Sequence, residues 1–111
     1  MDLEKLDVVK ASNEGFKCII KNPKTSLPTD IAITIKGAYS GSFLNECEKA
    51  DTDEKTAAVL ARFTMGWEGI EENSAPLSFS VDTAERVYKQ YPIIRGQVLN
   101  AAMDIRNFIR D

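Results

Sequence analysis

Apolar and polar positions alternate strictly in two stretches near the start of the chain. In "GFKCIIK" (15–21), Phe16, Cys18 and Ile20 share one side of an extended chain, while Lys17 and Lys21 point to the other. In "DIAITIK" (30–36), Ile31, Ile33 and Ile35 share one side, with Ala32, Thr34 and Lys36 opposite. "NPKTSLPT" (22–29), with two prolines and the turn former Asn22, reads as the loop between them. The pattern predicts an antiparallel hairpin over 15–36 with one buried face. A hairpin alone is marginal in water, so that face needs a cover. Residues 1–13, anchored only by Leu3, Leu6, Val8 and Val9, read as a frayed arm or a short leading strand.

After the break "GAYSG" (37–41) the period becomes helical. "SFLNECEKA" (42–50) reads as a short helix started by Ser40 or Ser42. "DTDEKTAAVLARFTMGW" is a stronger one, capped by Asp51 or Thr52, with Asp53 and Glu54 suited to its positive start. Leu60, Phe63 and Trp67 stand at i, i+3 and i+7, in phase through Gly66, which extends the predicted helix to Glu68. Gly69 then takes the left-handed position after the helix, and Ile70 folds back towards Met65. Gly66 becomes an interior glycine, tolerated if another element packs closely against it. Residues 68–79 form the one hinge. Ser80 caps "VDTAERVYKQY", whose Val81, Ala84, Val87, Tyr88 and Tyr91 line one side. Pro92 suits a first helical position and starts "PIIRGQVLNAAMDIRNFIRD", striped by Ile94, Val98, Ala101, Ala102, Ile105, Phe108 and Ile109. Gly96 within it costs about 1 kcal/mol relative to alanine unless something packs closely there. Two strands followed by three or four helices over 40–110 predict an α+β fold, the helices packed as a small bundle.

Bulk composition narrows the function more than the fold. A chain of 111 residues is read as one domain, 1–111. Apolar residues at 43% and charged residues at 28% match an ordinary folded domain and argue against wholesale disorder. The net charge of −3 gives no global basic field for nucleic acid or anionic lipid. Acidity is concentrated centrally: residues 51–79 hold six Asp/Glu against two Lys/Arg, whereas residues 1–50 hold seven of each. The N-terminus lacks the apolar core of a signal peptide, and no run approaches the ~20 residues of a membrane span. Cys18 and Cys47 are 29 positions apart and read as free thiols in a reducing cytosol.

Histidine is absent, which removes the commonest general base and metal ligand and excludes a Ser/Cys–His hydrolase. Two acidic groups remain, Asp51, Asp53 and Glu54, and Glu68, Glu71 and Glu72. The first reads as helix-start chemistry and lacks the calcium-loop pattern; the second reads as a solvated loop. "GAYSG" lacks the Gly-Lys-Ser/Thr ending of a phosphate loop. Two helices joined closely at Tyr91-Pro92 could form a helix–turn–helix offering Arg86, Lys89, Arg95, Arg106 and Arg110 to DNA. Residues 80–111 carry a net charge of only +1, which is poor for phosphate binding. No catalytic, cofactor-binding or metal residue is assigned, and no cofactor is expected. A binding or assembly protein remains.

The order of short motifs carries a resemblance. A strand pair with a "P-x-T" loop opens the chain. Trp67 and Gly69 then form a "W-x-G" step, and Pro76, Phe79 and Ser80 a "P-x-x-F-S" lead-in. A proline-started helix at Pro92 and a final Asn107-Phe108 follow. In this order the chain resembles the tail assembly chaperones of long-tailed phages and prophages. It departs from them at Thr83, where a helix-start Asn or acid is frequent, and 37–52 matches nothing specific. The resemblance implies binding of the phage tape measure protein, with the tail tube protein as a second candidate partner. It places the protein in the cytoplasm of the infected or lysogenic bacterium and outside the mature virion. Members are often also made as a longer frameshifted product. Self-association is compatible with that role; nucleic acid and membrane are not expected as partners. Candidate structural or client-contact residues are Trp67, Gly69, Phe79, Ile94, Val98, Ile105 and Phe108, with Trp67 read as packing inward. The alternative is a small phage or prophage interaction module or a DNA-binding regulator.

Overall fold

A computed structural model describes residues 1–110 of the chain. Its elements are α1 (Val8–Glu14), β1 (Phe16–Lys21), β2 (Pro28–Ile35), α2 (Phe43–Lys49), α3 (Asp53–Phe63) and β3 (Thr64–Glu68). They continue with a two-residue pair, β4 (Glu71–Glu72) and β5 (Ala75–Pro76), then α4 (Val81–Gln90) and α5 (Pro92–Met103). Short 3-10 turns cover Leu3–Leu6 and Ile105–Phe108. The fold is α+β, as the change of period predicts.

The hairpin forms as its alternation requires. β1 pairs antiparallel with β2, Cys18 opposite Ile33 and Phe16 opposite Ile35. Cys18, Ile20, Ile33 and Ile35 are buried on the inner face, together with Leu60 of α3, Tyr88 of α4 and Val98 of α5. The cover that a hairpin needs is supplied chiefly by α5, which packs on β1 and β2, with α3 and α4 against it. Lys17, Ile19 and Glu68 remain exposed on the outer face. There a Lys17–Glu68 ion pair of 2.5 Å runs from β1 to β3 across β2.

Three expectations are corrected. The helix over 51–68 stops at Phe63, and Thr64–Glu68 is a third strand, antiparallel to β2 with Trp67 opposite Ile33. The cause is local. The Thr64 hydroxyl donates to the Leu60 carbonyl at 2.7 Å, which leaves the buried Tyr88 phenol as the donor of a second 2.7 Å bond to it. That pair anchors the chain where it leaves the helix. Met65 is the extra residue of a bulge between the Thr34–Gly66 and Ile35–Thr64 pairs. Residues 8–14 form a helix rather than an arm or strand: the Asp7 carboxylate accepts from the Lys10 N–H, and Ala11 and Ser12 are buried. Finally, α5 ends at Met103. Asp104 there accepts from the Arg106 N–H, and the Asn107 side chain donates to the Ala101 carbonyl at 3.0 Å.

The glycine expectations divide. Gly69 has the positive φ expected of it, 81°, but it leaves a strand rather than a helix. Ile70 is buried and does not fold back onto a helix end. A methyl group at Gly66 or Gly96 would meet nothing within 4 Å, so neither is retained by close packing. Gly96→Ala should therefore stabilise the protein by about 1 kcal/mol through helix propensity alone. Thermal unfolding followed by circular dichroism checks this, and a lower Tm would contradict it.

A candidate binding groove at the α4–α5 elbow

Pre-proline sterics make the elbow. Tyr91 is pushed out of helical geometry, to φ −117° and ψ 85°, so α4 stops at Gln90 and Pro92 opens α5. The Tyr91 N–H still donates to the Val87 carbonyl, and its own carbonyl accepts from Ile94 and Arg95. Arg95 braces the bend by donating to the Tyr88 carbonyl at 2.8 Å, while its guanidinium also sits 3.4 Å from Asp53. The reversal leaves Tyr91 and Ile93 exposed beside the loop end of the β1–β2 hairpin.

Two hollows meet at this elbow. One, of about 340 Å³, lies between the hairpin end (Ile20, Lys21, Pro23, Thr29, Ile31) and the start of α5 (Tyr91, Pro92, Ile93, Ile94). The other, of about 330 Å³, lies between Ile31, Val87, Tyr91 and Ile94 on one side and Ile70, Glu71, Glu72 and Leu77 on the other. They share Ile31, Tyr91 and Ile94 as lining residues, and together they are the candidate groove.

The acidic wall is built by the β4–β5 pair. Asn73 and Ser74 carry it through the turn with φ of 53° and 65°, the left-handed pair of a tight hairpin. Glu72 clasps this wall to α4: Arg86 donates two bonds to it at 3.0 and 2.9 Å, and the Tyr91 hydroxyl a third at 3.1 Å. The Arg86 bond, and then the Tyr91 bond, hold the Glu72 carboxyl below the usual range. Its bond to Glu72 in turn pushes the Tyr91 phenol up. The inner wall is fixed by Trp67. Its ring meets Phe79 edge to face at 5.1 Å, and its Nε1–H donates to the Leu77 carbonyl at 2.8 Å.

The predicted site residues do not form one site. Ile94 lines the groove. Trp67 and Phe79 lie behind it, and Gly69 precedes the β4 wall. Val98 and Phe108 are buried in the interior, Phe108 edge to face with Phe16, where a partner cannot reach them in the folded state. Ile105 is exposed but outside the groove. Ile31, Ile70, Glu72, Arg86 and Tyr91 are each visible in the sequence, but neither their meeting at this corner nor the exposure of Ile93 is. The close helix junction at Tyr91-Pro92 is the one feature of that corner read from the sequence.

Other candidate groups have structural partners. Thr52 caps α3 through the Lys55 N–H, and Asp51 pairs with Lys55. All five cations considered for DNA face a carboxylate: Arg86 with Glu72, Lys89 with Glu85, Arg95 with Asp53, Arg106 with Asp104 and Arg110 with Glu14. Both cysteines are free thiols. Burial raises the Cys18 pKa, and burial with the nearby Glu46 charge pushes Cys47 up to about 11. Comparison with protein-family models, with curated proteins and with solved structures finds no match to the chain. No helix among the described residues is long and apolar enough to cross a membrane.

Proposed function

We propose that this chain is a non-catalytic assembly chaperone that holds apolar helical segments of a client in the elbow groove. The phage tail type that its motifs resemble is the specific reading. Its client is then the tape measure protein, bound in the bacterial cytoplasm before tail tube subunits polymerise, and the chaperone is left out of the virion. The observation that carries the reading is the pair of adjoining, largely apolar hollows lined by Ile31, Ile70, Leu77, Val87, Tyr91 and Ile94. Such a surface suits an amphipathic helix, whose anchors at i, i+3, i+4 and i+7 form a matching ridge. The motif positions behind the resemblance support the same corner. Trp67 and Phe79 back its inner wall, and Pro92 sets its elbow. The paired cations of α4 and α5 leave the DNA-binding alternative with less support.

Co-expression with the tape measure protein of its own phage should bring that protein into the soluble fraction and co-purify it. Ile93→Asp, a charge at an exposed position beside the hollow between the hairpin end and α5, should weaken this while the chaperone stays folded by circular dichroism. A client that stays insoluble beside wild-type chain overturns the tail-chaperone reading. Unimpaired binding by the folded Ile93→Asp variant overturns the groove.

A further inference from the structure

Between Ile70 and Leu77 the chain makes a flap, residues 71–76, formed by β4, the Asn73-Ser74 turn and β5. Its base is fixed. Ile70 is buried, the Leu77 N–H donates to the Ile70 carbonyl at 2.9 Å, and the Leu77 carbonyl accepts from Trp67. The flap beyond that base is not. None of residues 71–76 is buried, and a two-residue strand pair has little stability of its own in water. Among the described residues, the hydrogen bonds and the ion pair that tie the flap to the body of the protein all end on Glu72. Their donors, Arg86 and Tyr91, belong to α4 and the elbow. Under this single tie lies the hollow of about 330 Å³, lined by Glu71, Glu72 and Asn73 of the flap and by Ile31, Val87, Tyr91 and Ile94 of the body.

We infer that the flap is a latched lid on this hollow. It turns at its base, between Ile70 and Leu77, and the Glu72 carboxylate is its latch. Closed, it also holds the phenol of Tyr91, whose side chain lines both hollows. Open, it uncovers apolar surface at Val87 and Ile94 and frees the Tyr91 ring. Such an opening has a low free energy: it breaks a few half-exposed bonds and pulls no buried side chain of the flap into water, while Trp67, Ile70 and Leu77 stay in place. The device governs access to the hollow and does not depend on what the client is.

Native-state cleavage by a glutamate-specific protease tests this. Cuts after Glu71 and Glu72 are measured by mass spectrometry and scaled to the cut after Glu46 in α2. The protease needs an extended segment, so the scaled rate follows the population of the open flap. Arg86→Gln, which removes the two-bond partner of the latch, should raise that rate about threefold to tenfold, and Tyr91→Phe by about twofold. Arg106→Gln breaks an ion pair elsewhere with the same change of charge and should leave it unaltered. Fluorescence of anilinonaphthalenesulfonate, a dye for uncovered apolar surface, should rise in Arg86→Gln and not in Arg106→Gln. An unchanged scaled rate in Arg86→Gln overturns the latch, and equal acceleration at all glutamates, which is global loosening, overturns it too. Faster flap cleavage with no gain in dye fluorescence overturns the lid.

Discussion

Gly69→Ala is expected to lower stability by roughly 2–5 kcal/mol. Two independent penalties add. At φ 81° an L side chain occupies left-handed backbone, at about 1–2 kcal/mol. The new Cβ would also sit within van der Waals contact of the Asp30 carbonyl oxygen and 2.7 Å from its carbon. That neighbour is β2 backbone and cannot swing aside as a side chain can, so overpacking adds about 1–3 kcal/mol. Gly41→Ala is the control. It has φ 51° but nothing within 4 Å, so only the conformational penalty applies. Thermal denaturation should show Gly69→Ala falling by about 10 °C or more, and Gly41→Ala by clearly less. Equal losses in the two variants would refute the close approach to β2.

Trp67→Ala should cost roughly 2–3 kcal/mol, a little under the range for a fully buried tryptophan because the ring is only partly covered. The loss has two parts. The ring fills the inner face between Ile33 and Phe79, and its Nε1–H satisfies the Leu77 carbonyl. Trp67→Phe keeps most of the first and removes the second, so it should cost about 1 kcal/mol. Trp67 is the only tryptophan, so urea unfolding should be followed by far-ultraviolet circular dichroism. An alanine variant that melts like wild type yet no longer binds its client would make Trp67 a contact residue and not a structural one.

The hairpin was legible because period two has no competitor when charged residues mark the solvent side, as Lys17 and Lys21 do. The caps Thr52 and Ser80 and the start at Pro92 were legible because each satisfies or removes a helix-end N–H. β3 was not. Leu60, Phe63 and Trp67 hold helical phase across four positions that the chain spends as a bulged strand, and phase cannot reveal a switch in rise per residue. α1 hid because its buried face is Ala11 and Ser12, small residues that leave no apolar stripe. The groove depends on which loop ends meet at the elbow, on Ile31 and Ile94 lying 63 positions apart, and local periodicity contains none of that.

The Gln97 amide that holds both backbone groups of Lys21 reaches across 76 positions. Arg110 likewise lies beside the first residues, its N–H bonding the Lys5 carbonyl. During synthesis the β1–β2 hairpin is therefore made long before the side chain that closes its end, and before the helix that covers its inner face. Because a hairpin alone is marginal in water, the isoleucines of its strands stay open to water on the ribosome until that helix has been made. That interval ends only when α5 docks on the sheet.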